Sequence, residues 1–136
     1  MVGIKYLLDT NICAFLIREK FNIKEKIRQI GGLDCCAISE ITYAELYYGV
    51  EKSENRKRNL EILHIFAENI KIIPIRKAIP LFAKEKARLK SINKIIDDFD
   101  LLIGATAVAN DLIMATENVK HHSRIEGIKI ENWVER

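Results

Sequence analysis

A chain of 136 residues, 49% of them hydrophobic and 30% charged, has the size of one ordinary globular domain and leaves no room for a second. At this length a core can form without disulfides or a structural metal, so stability alone singles out no special residue. The balance of 22 Lys and Arg against 19 Asp and Glu gives a net charge of +3, too mild to mark a nucleic-acid binder by charge. Cys13, Cys35 and Cys36 are odd in number and form no C-x-x-C, which argues against a disulfide framework or a zinc site and for a reducing compartment. The first apolar run meets Asp9 at once, unlike a signal peptide, and no stretch reaches the roughly 18 apolar residues of a membrane span. The expectation is a soluble cytoplasmic protein with no membrane partner, a single domain over residues 1–136.

Taken in chain order, residues 4–8 (IKYLL) predict a buried strand that ends at Asp9, where Thr10 or Asn11 starts a helix. A helical stretch with a break runs toward Ile30 and is stopped by Gly31 and Gly32. CCAI at 35–38 predicts a second strand, and Ser39 is the N-cap of a helix over ITYAELYYGV. The polar loop SENRKRN leads to a helix near 56–68, followed by a third strand at about 70–75 (IKIIPI). From Lys77 to Asn93 the spacing predicts an amphipathic helix that turns Ile79, Phe82, Ala83, Leu89 and Ile92 inward. The segment from Phe99 to Ala109 is apolar almost all round, as in a helix buried between a sheet and other helices. LIMAT (112–116) and IKIE (128–131) complete the strands, and Trp133 closes one edge of the core. Strands alternating with helices predict an α/β/α sandwich around a parallel sheet of four to five strands. Ligands in such sheets bind beyond the carboxyl ends of the strands.

Acids stand where that rule directs attention. Asp9 directly follows the first strand; a helix cap alone would account for it. Glu45 shares a helix face with Ile41 and Tyr48, flanked by Ala44 and Gly49, so the helix offers it no evident solvated side. Burying such a carboxylate costs several kcal/mol unless something compensates it. Of Asp97, Asp98 and Asp100, one suffices to cap the apolar helix; Asp98 reads as a cap or supporting group and Asp100 as a ligand. Thr116, Glu117 and Asn118 follow the fourth strand. Carboxylates gathered without lysine partners repel one another unless a divalent cation neutralises them, and oxygen ligands select Mg²⁺ or Mn²⁺. Such a cation serves phosphodiester hydrolysis by acidifying water and stabilising charge on phosphoryl oxygen.

LDTNI at 8–12, ISEITYAELYYGV at 38–50, DDFDLLIGATAVAND at 97–111 and ATENVKHHSRIEGIKIENW at 115–133 together resemble PIN-domain proteins of the VapC toxin type, in order and over nearly the whole chain. The resemblance implies a PIN-like fold and a Mg²⁺- or Mn²⁺-dependent endoribonuclease of a toxin–antitoxin pair. It would cut structured RNA such as tRNA or rRNA, form a homodimer and be silenced by a VapB-like antitoxin. By position, Asp9, Glu45 and Asp100 match the family's principal metal-binding acids, Thr10 and Asn11 the polar residues beside the first acid, and Thr116 a hydroxyl residue lining the pocket. The pattern departs where many members carry a fourth acid: here stands Asn118, preceded by Glu117, and Asp98 is a candidate to share that work.

Other readings are weaker. A haloacid-dehalogenase-like phosphatase needs a second Asp where Asn11 stands, and a receiver domain needs an Asp after the third strand, where IKIIPIRK has none. A degenerate PIN domain that binds RNA or antitoxin without cutting is the remaining alternative, supported by Asn118. His121 and His122 diverge by about 100° on a helix or to opposite faces of a strand, so they do not suit a shared metal and are expected in a loop or beside RNA. His64 reads as packing or a helix-face residue, not a general base. Phe15, Leu16, Tyr47 and Tyr48 are candidates for an antitoxin or dimer surface.

Overall fold

Five strands, β1 (Tyr6–Leu8), β2 (Cys36–Ser39), β3 (Lys71–Ile73), β4 (Ile113–Thr116) and β5 (Lys129–Asn132), form one parallel sheet of order β3-β2-β1-β4-β5. This is a computed structural model, which describes residues 3–136. The central strand pairs with β2 through Leu7↔Ala37 and with β4 through Leu7↔Met114 and Leu8↔Ala115. Because the chain fills one side of β1 with β2 and β3 and the other with β4 and β5, the strand order reverses between β1 and β4. In open parallel sheets a crevice opens at such a reversal, outside the carboxyl ends of the strands.

Among the described residues seven α-helices cover the sheet: α1 (Thr10–Ile17), α2 (Ile23–Ile30), α3 (Glu40–Glu51), α4 (Arg56–Glu68), α5 (Ile79–Ser91), α6 (Asp98–Ala109) and the one-turn α7 (Val119–His122). Successive strand residues point to opposite faces, so neighbours in sequence enter different cores. Leu8, Cys36 and Ile38 pack with Ile12, Ile23, Leu63, Phe66 and Trp133 beneath the first four helices. Leu7, Ala37 and Met114 pack with Ile103 and Ala107 of α6 on the other face. Leu89, Ile96, Leu101 and Ile125 extend that second layer beneath α5. Trp133 stacks at 5.2 Å on Tyr6 and closes the first core. The thiols of Cys13, Cys35 and Cys36 are buried and free.

Chain reversals follow from backbone conformation. Glu19, Phe21 and Asn22 take left-handed φ values of 55–56° and break the first helical stretch into α1 and α2. Gly31, with φ +117°, ends α2; a Cβ there would lie 2.9 Å from the Cys35 sulfur. The third strand stops at Ile73, short of the expected 70–75, because Pro74 has no N–H to donate.

Three expectations about faces are corrected. Along α5 the buried positions are Glu85 and Leu89, while Ile79, Ala83 and Ile92 are exposed. Glu85 is tolerated inside because Arg88 grips it with Nε and Nη2 at 2.9 and 2.8 Å and the Glu126 N–H donates to it at 3.0 Å. Phe15 and Leu16 are partly buried against the first core, Phe15 edge-on to Phe21 at 4.7 Å, so only part of each is left to form a partner surface. On α3, Ala44 and Tyr48 are exposed, so that helix does have a solvated side, and Glu45 is only partly buried.

Candidate metal centre

Asp9 and Thr116 end the two strands that flank the reversal, and their side chains meet across it. The Thr116 hydroxyl donates to Asp9 Oδ2 at 2.7 Å, and the Thr10 N–H donates to Oδ1 at 2.8 Å. Asp9 is therefore the N-cap of α1, but a cap needs only one of its oxygens. It is 4% exposed, far drier than a capping aspartate needs to be. The Asn118 N–H donates to the Thr116 hydroxyl at 2.9 Å, completing a chain of contacts from the end of β4 to Asp9.

Glu45 reaches the same edge from α3. The Thr10 hydroxyl donates to its Oε1 at 2.7 Å and shares a 3.0 Å hydrogen bond with the Thr42 hydroxyl, so one threonine links the start of α1 to α3. Asp100 enters from the first turn of α6, where the helix dipole favours an acid. Both acids are held in their protonated form more strongly than usual. Burial raises the Glu45 carboxyl and the charges of Asp100 and Asp9 raise it further, although the Thr10 hydrogen bond pulls the other way. Burial raises Asp100 as well, and the Asp9 charge adds to it. Among the described residues, no lysine or arginine pairs with Asp9, Glu45 or Asp100.

The tightest set of potential ligand atoms is Asp9, Asp100 and His122, all within 4.8 Å of one another. His122 is fully buried, with Nε2 3.9 Å from Asp9 Oδ2. It comes as a correction to the expectation of a loop or RNA-facing histidine. The two neighbours do diverge: His121 is exposed and binds Asn118 Oδ1 at 2.7 Å, while His122 turns inward. The sequence carries no periodic signal for this placement, because α7 is a single turn.

Other expected members lie elsewhere or play other parts. Asp97, not Asp98, caps α6, accepting from the Phe99 N–H at 3.1 Å. Asp98 pairs with Lys86 at 3.1 Å on the exposed surface. Glu117 is gripped by Arg136, with Nε and Nη2 at 3.0 and 3.1 Å, and its charge is satisfied there. Asn118 uses its side-chain oxygen on His121. Asn11 keeps a buried Oδ1 with no protein partner.

A buried or partly buried group of acids without basic partners among the described residues, with the unpartnered, buried His122 Nε2 next to Asp9 and Asp100, fits a divalent cation. Carboxylate oxygens are hard ligands, and the positive charge would offset their mutual repulsion.

Known proteins share this fold. The PIN domain family matches residues 6–127, and the chain belongs to that family. Within it the near-full-length relatives are of the VapC type. The chain is 36% identical over 133 residues to Ribonuclease VapC2 of Haemophilus influenzae, covering 96% of this chain and 99% of that protein. It is 33% identical over 132 residues to the tRNA(fMet)-specific endonuclease VapC of Shigella flexneri, covering 96% and 98%. Among solved structures, it superposes on VapBC2 of Rickettsia felis bound to a promoter DNA fragment with a TM-score of 0.87, 32% identity and 96% and 99% coverage. It superposes on DNA-bound VapBC of Salmonella typhimurium with a TM-score of 0.89 and 31% identity, covering 96% and 98%.

Proposed function

We propose that this chain is a divalent-cation-dependent endoribonuclease, using Mg²⁺ or Mn²⁺, that hydrolyses phosphodiester bonds of structured RNA, tRNA or rRNA, in the cytoplasm. The observation that carries the reading is the group of Asp9, Asp100 and Glu45 at the strand-order reversal, buried or half-buried and without basic partners. Asp9, Glu45 and Asp100 would hold the cation. When bound, a divalent cation acidifies water and stabilises negative charge on a phosphoryl oxygen. The chain's part is to fix the acids in place. Thr116 and the Thr10 N–H clamp the two oxygens of Asp9, and each oxygen keeps capacity to accept a further ligand. Thr10 holds Glu45 from the other side. Supports of this kind matter as much as the acids, because a carboxylate free to rotate loses the geometry of in-line attack.

The chain would act as the toxin of a toxin–antitoxin pair, silenced by a VapB-like antitoxin, as a homodimer. Solved relatives are VapBC complexes, and large apolar side chains stand exposed on α3 and α4, at Tyr48 and Ile65. No described helix is long and apolar enough to cross a membrane. Water-mediated hydrolysis of this class leaves 5′-phosphate and 3′-hydroxyl ends. Mapping the ends produced from tRNA by antitoxin-free protein tests this: 2′,3′-cyclic phosphates would mean that the ribose hydroxyl, not water, attacks.

A further inference from the structure

We propose that His122 is a nitrogen ligand of the cation held by Asp9 and Asp100, bound through Nε2, and that the resulting mixed nitrogen–oxygen site takes Mn²⁺ in preference to Mg²⁺. The inference rests on the cation-site reading above and adds to it a fourth side chain and an order of metals. Its starting point is the tautomer. His122 Nδ1 lies 3.0 Å from the backbone carbonyl oxygen of Asn118. A carbonyl oxygen can only accept, so Nδ1 carries the hydrogen, and Nε2 is the ring nitrogen whose lone pair a metal can take. That lone pair has no protein partner, sits on a fully buried residue, and stands 3.9 Å from Asp9 Oδ2.

A buried ring nitrogen left without a hydrogen-bond partner beside two carboxyl groups is uncompensated, and a cation between them would satisfy all three. A direct hydrogen bond to Asp9 is not the alternative, because 3.9 Å is too long for one. Metal-ligating histidines show the arrangement found here: the second ring nitrogen donates to a backbone carbonyl, which fixes the ring and its tautomer. The surroundings keep the ring in place. Gly104 of α6 packs against it, and a Cβ there would lie 3.5 Å from His122 Cδ2 and collide with Ile125 Cδ1. Glycine thus makes room for Ile125, which follows α7, while the ring itself lies at ordinary contact distance from α6.

The metal order follows from ligand chemistry. Mg²⁺ is a hard ion that prefers oxygen and retains its waters, so an imidazole nitrogen adds little for it. First-row transition ions accept imidazole, and Mn²⁺ does so while still suiting carboxylates.

Electron spin-echo spectroscopy of the full chain loaded with Mn²⁺ tests the inference. The expected result is ¹⁴N modulation in the wild type that persists in His121→Ala and disappears in His122→Phe. By titration, His122→Phe should weaken Mn²⁺ about 10- to 100-fold and Mg²⁺ by less than about threefold. The wild-type spectrum needs no variant to fold, and His122→Gln, melted in EDTA, controls for packing. Bound Mn²⁺ without ¹⁴N modulation, or equal losses for both ions, would overturn the ligand role and leave the acid site standing. Failure of the wild type to bind either ion would overturn both.

Discussion

Thr10 shows how much of the site depends on a residue that performs no chemistry. Its N–H holds Asp9 Oδ1, its hydroxyl holds Glu45 Oε1, and the same hydroxyl shares a hydrogen bond with Thr42. Replacing it with valine keeps the shape and the N–H contact but removes the hydroxyl. The expected cost is about 1–2 kcal/mol of stability and about 10- to 100-fold in RNA cleavage, because Glu45 is released. Chemical denaturation and single-turnover cleavage read the two separately; unchanged cleavage would show that Glu45 needs no such hold. Some residues at this scale were legible in the sequence and others were not. Asp9 could be placed because it ends an apolar strand, a position that the sheet's geometry fixes. Glu85 and His122 could not, since what makes each acceptable inside combines a near neighbour with a remote part of the chain: Arg88 with the Glu126 N–H for one, the Asn118 carbonyl with the space beside Gly104 for the other.

Among the elements, α6 carries the greatest demand. It supplies Asp100 at its first turn and buries Leu101, Ile103, Gly104, Ala105, Thr106 and Ala107 against the sheet and α7. A methyl at position 104 meets Ile125, which is itself buried, so neither partner can move cheaply. Gly104→Ala should therefore destabilise the fold by about 1–3 kcal/mol despite the better helix propensity of alanine. A thermal melt at or above the wild-type temperature would show that α7 yields instead. Strands and long helices were predictable because their periodicity is local. The expected helix over 77–93 instead opens with a 3₁₀ turn at Arg76–Ala78 before α5, and α7 is too short for any periodicity to reveal. The fold class itself needed only the alternation of strand and helix.

Across the whole molecule, the raised proton affinities of Glu45 and Asp100 couple stability to pH and metal. For an acid whose folded pKa lies above its unfolded value, the folded state binds more protons within that window. Stability from these two groups is therefore complete below the ordinary values of 4.5 and 3.8 and is lost as pH rises through their raised folded values. Glu85 works in the opposite sense: Arg88 holds its carboxyl below the ordinary value, so its contribution is present above 4.5 and disappears on acidification through the lowered value. In EDTA at neutral pH, Asp100→Asn should melt several degrees above wild type, and the advantage should vanish as pH falls to the ordinary carboxylate range. Saturating Mg²⁺ or Mn²⁺ should raise the wild-type melting temperature and leave the variant nearly unmoved. A variant less stable than wild type in EDTA at neutral pH would mean that the acids do not repel one another.

The central claim is that the acids at the strand-order reversal form one cation-dependent nuclease site. Cleavage of tRNA and rRNA by antitoxin-free protein, with Mg²⁺, Mn²⁺ or EDTA, compares wild type with Asp9→Asn and Asp100→Asn most directly. The account predicts cleavage by the wild type with either cation and none in EDTA, with each variant reduced at least about 100-fold, equivalent to about 2.7 kcal/mol of transition-state stabilisation. Cleavage that survives EDTA, or that persists in both variants, would contradict it.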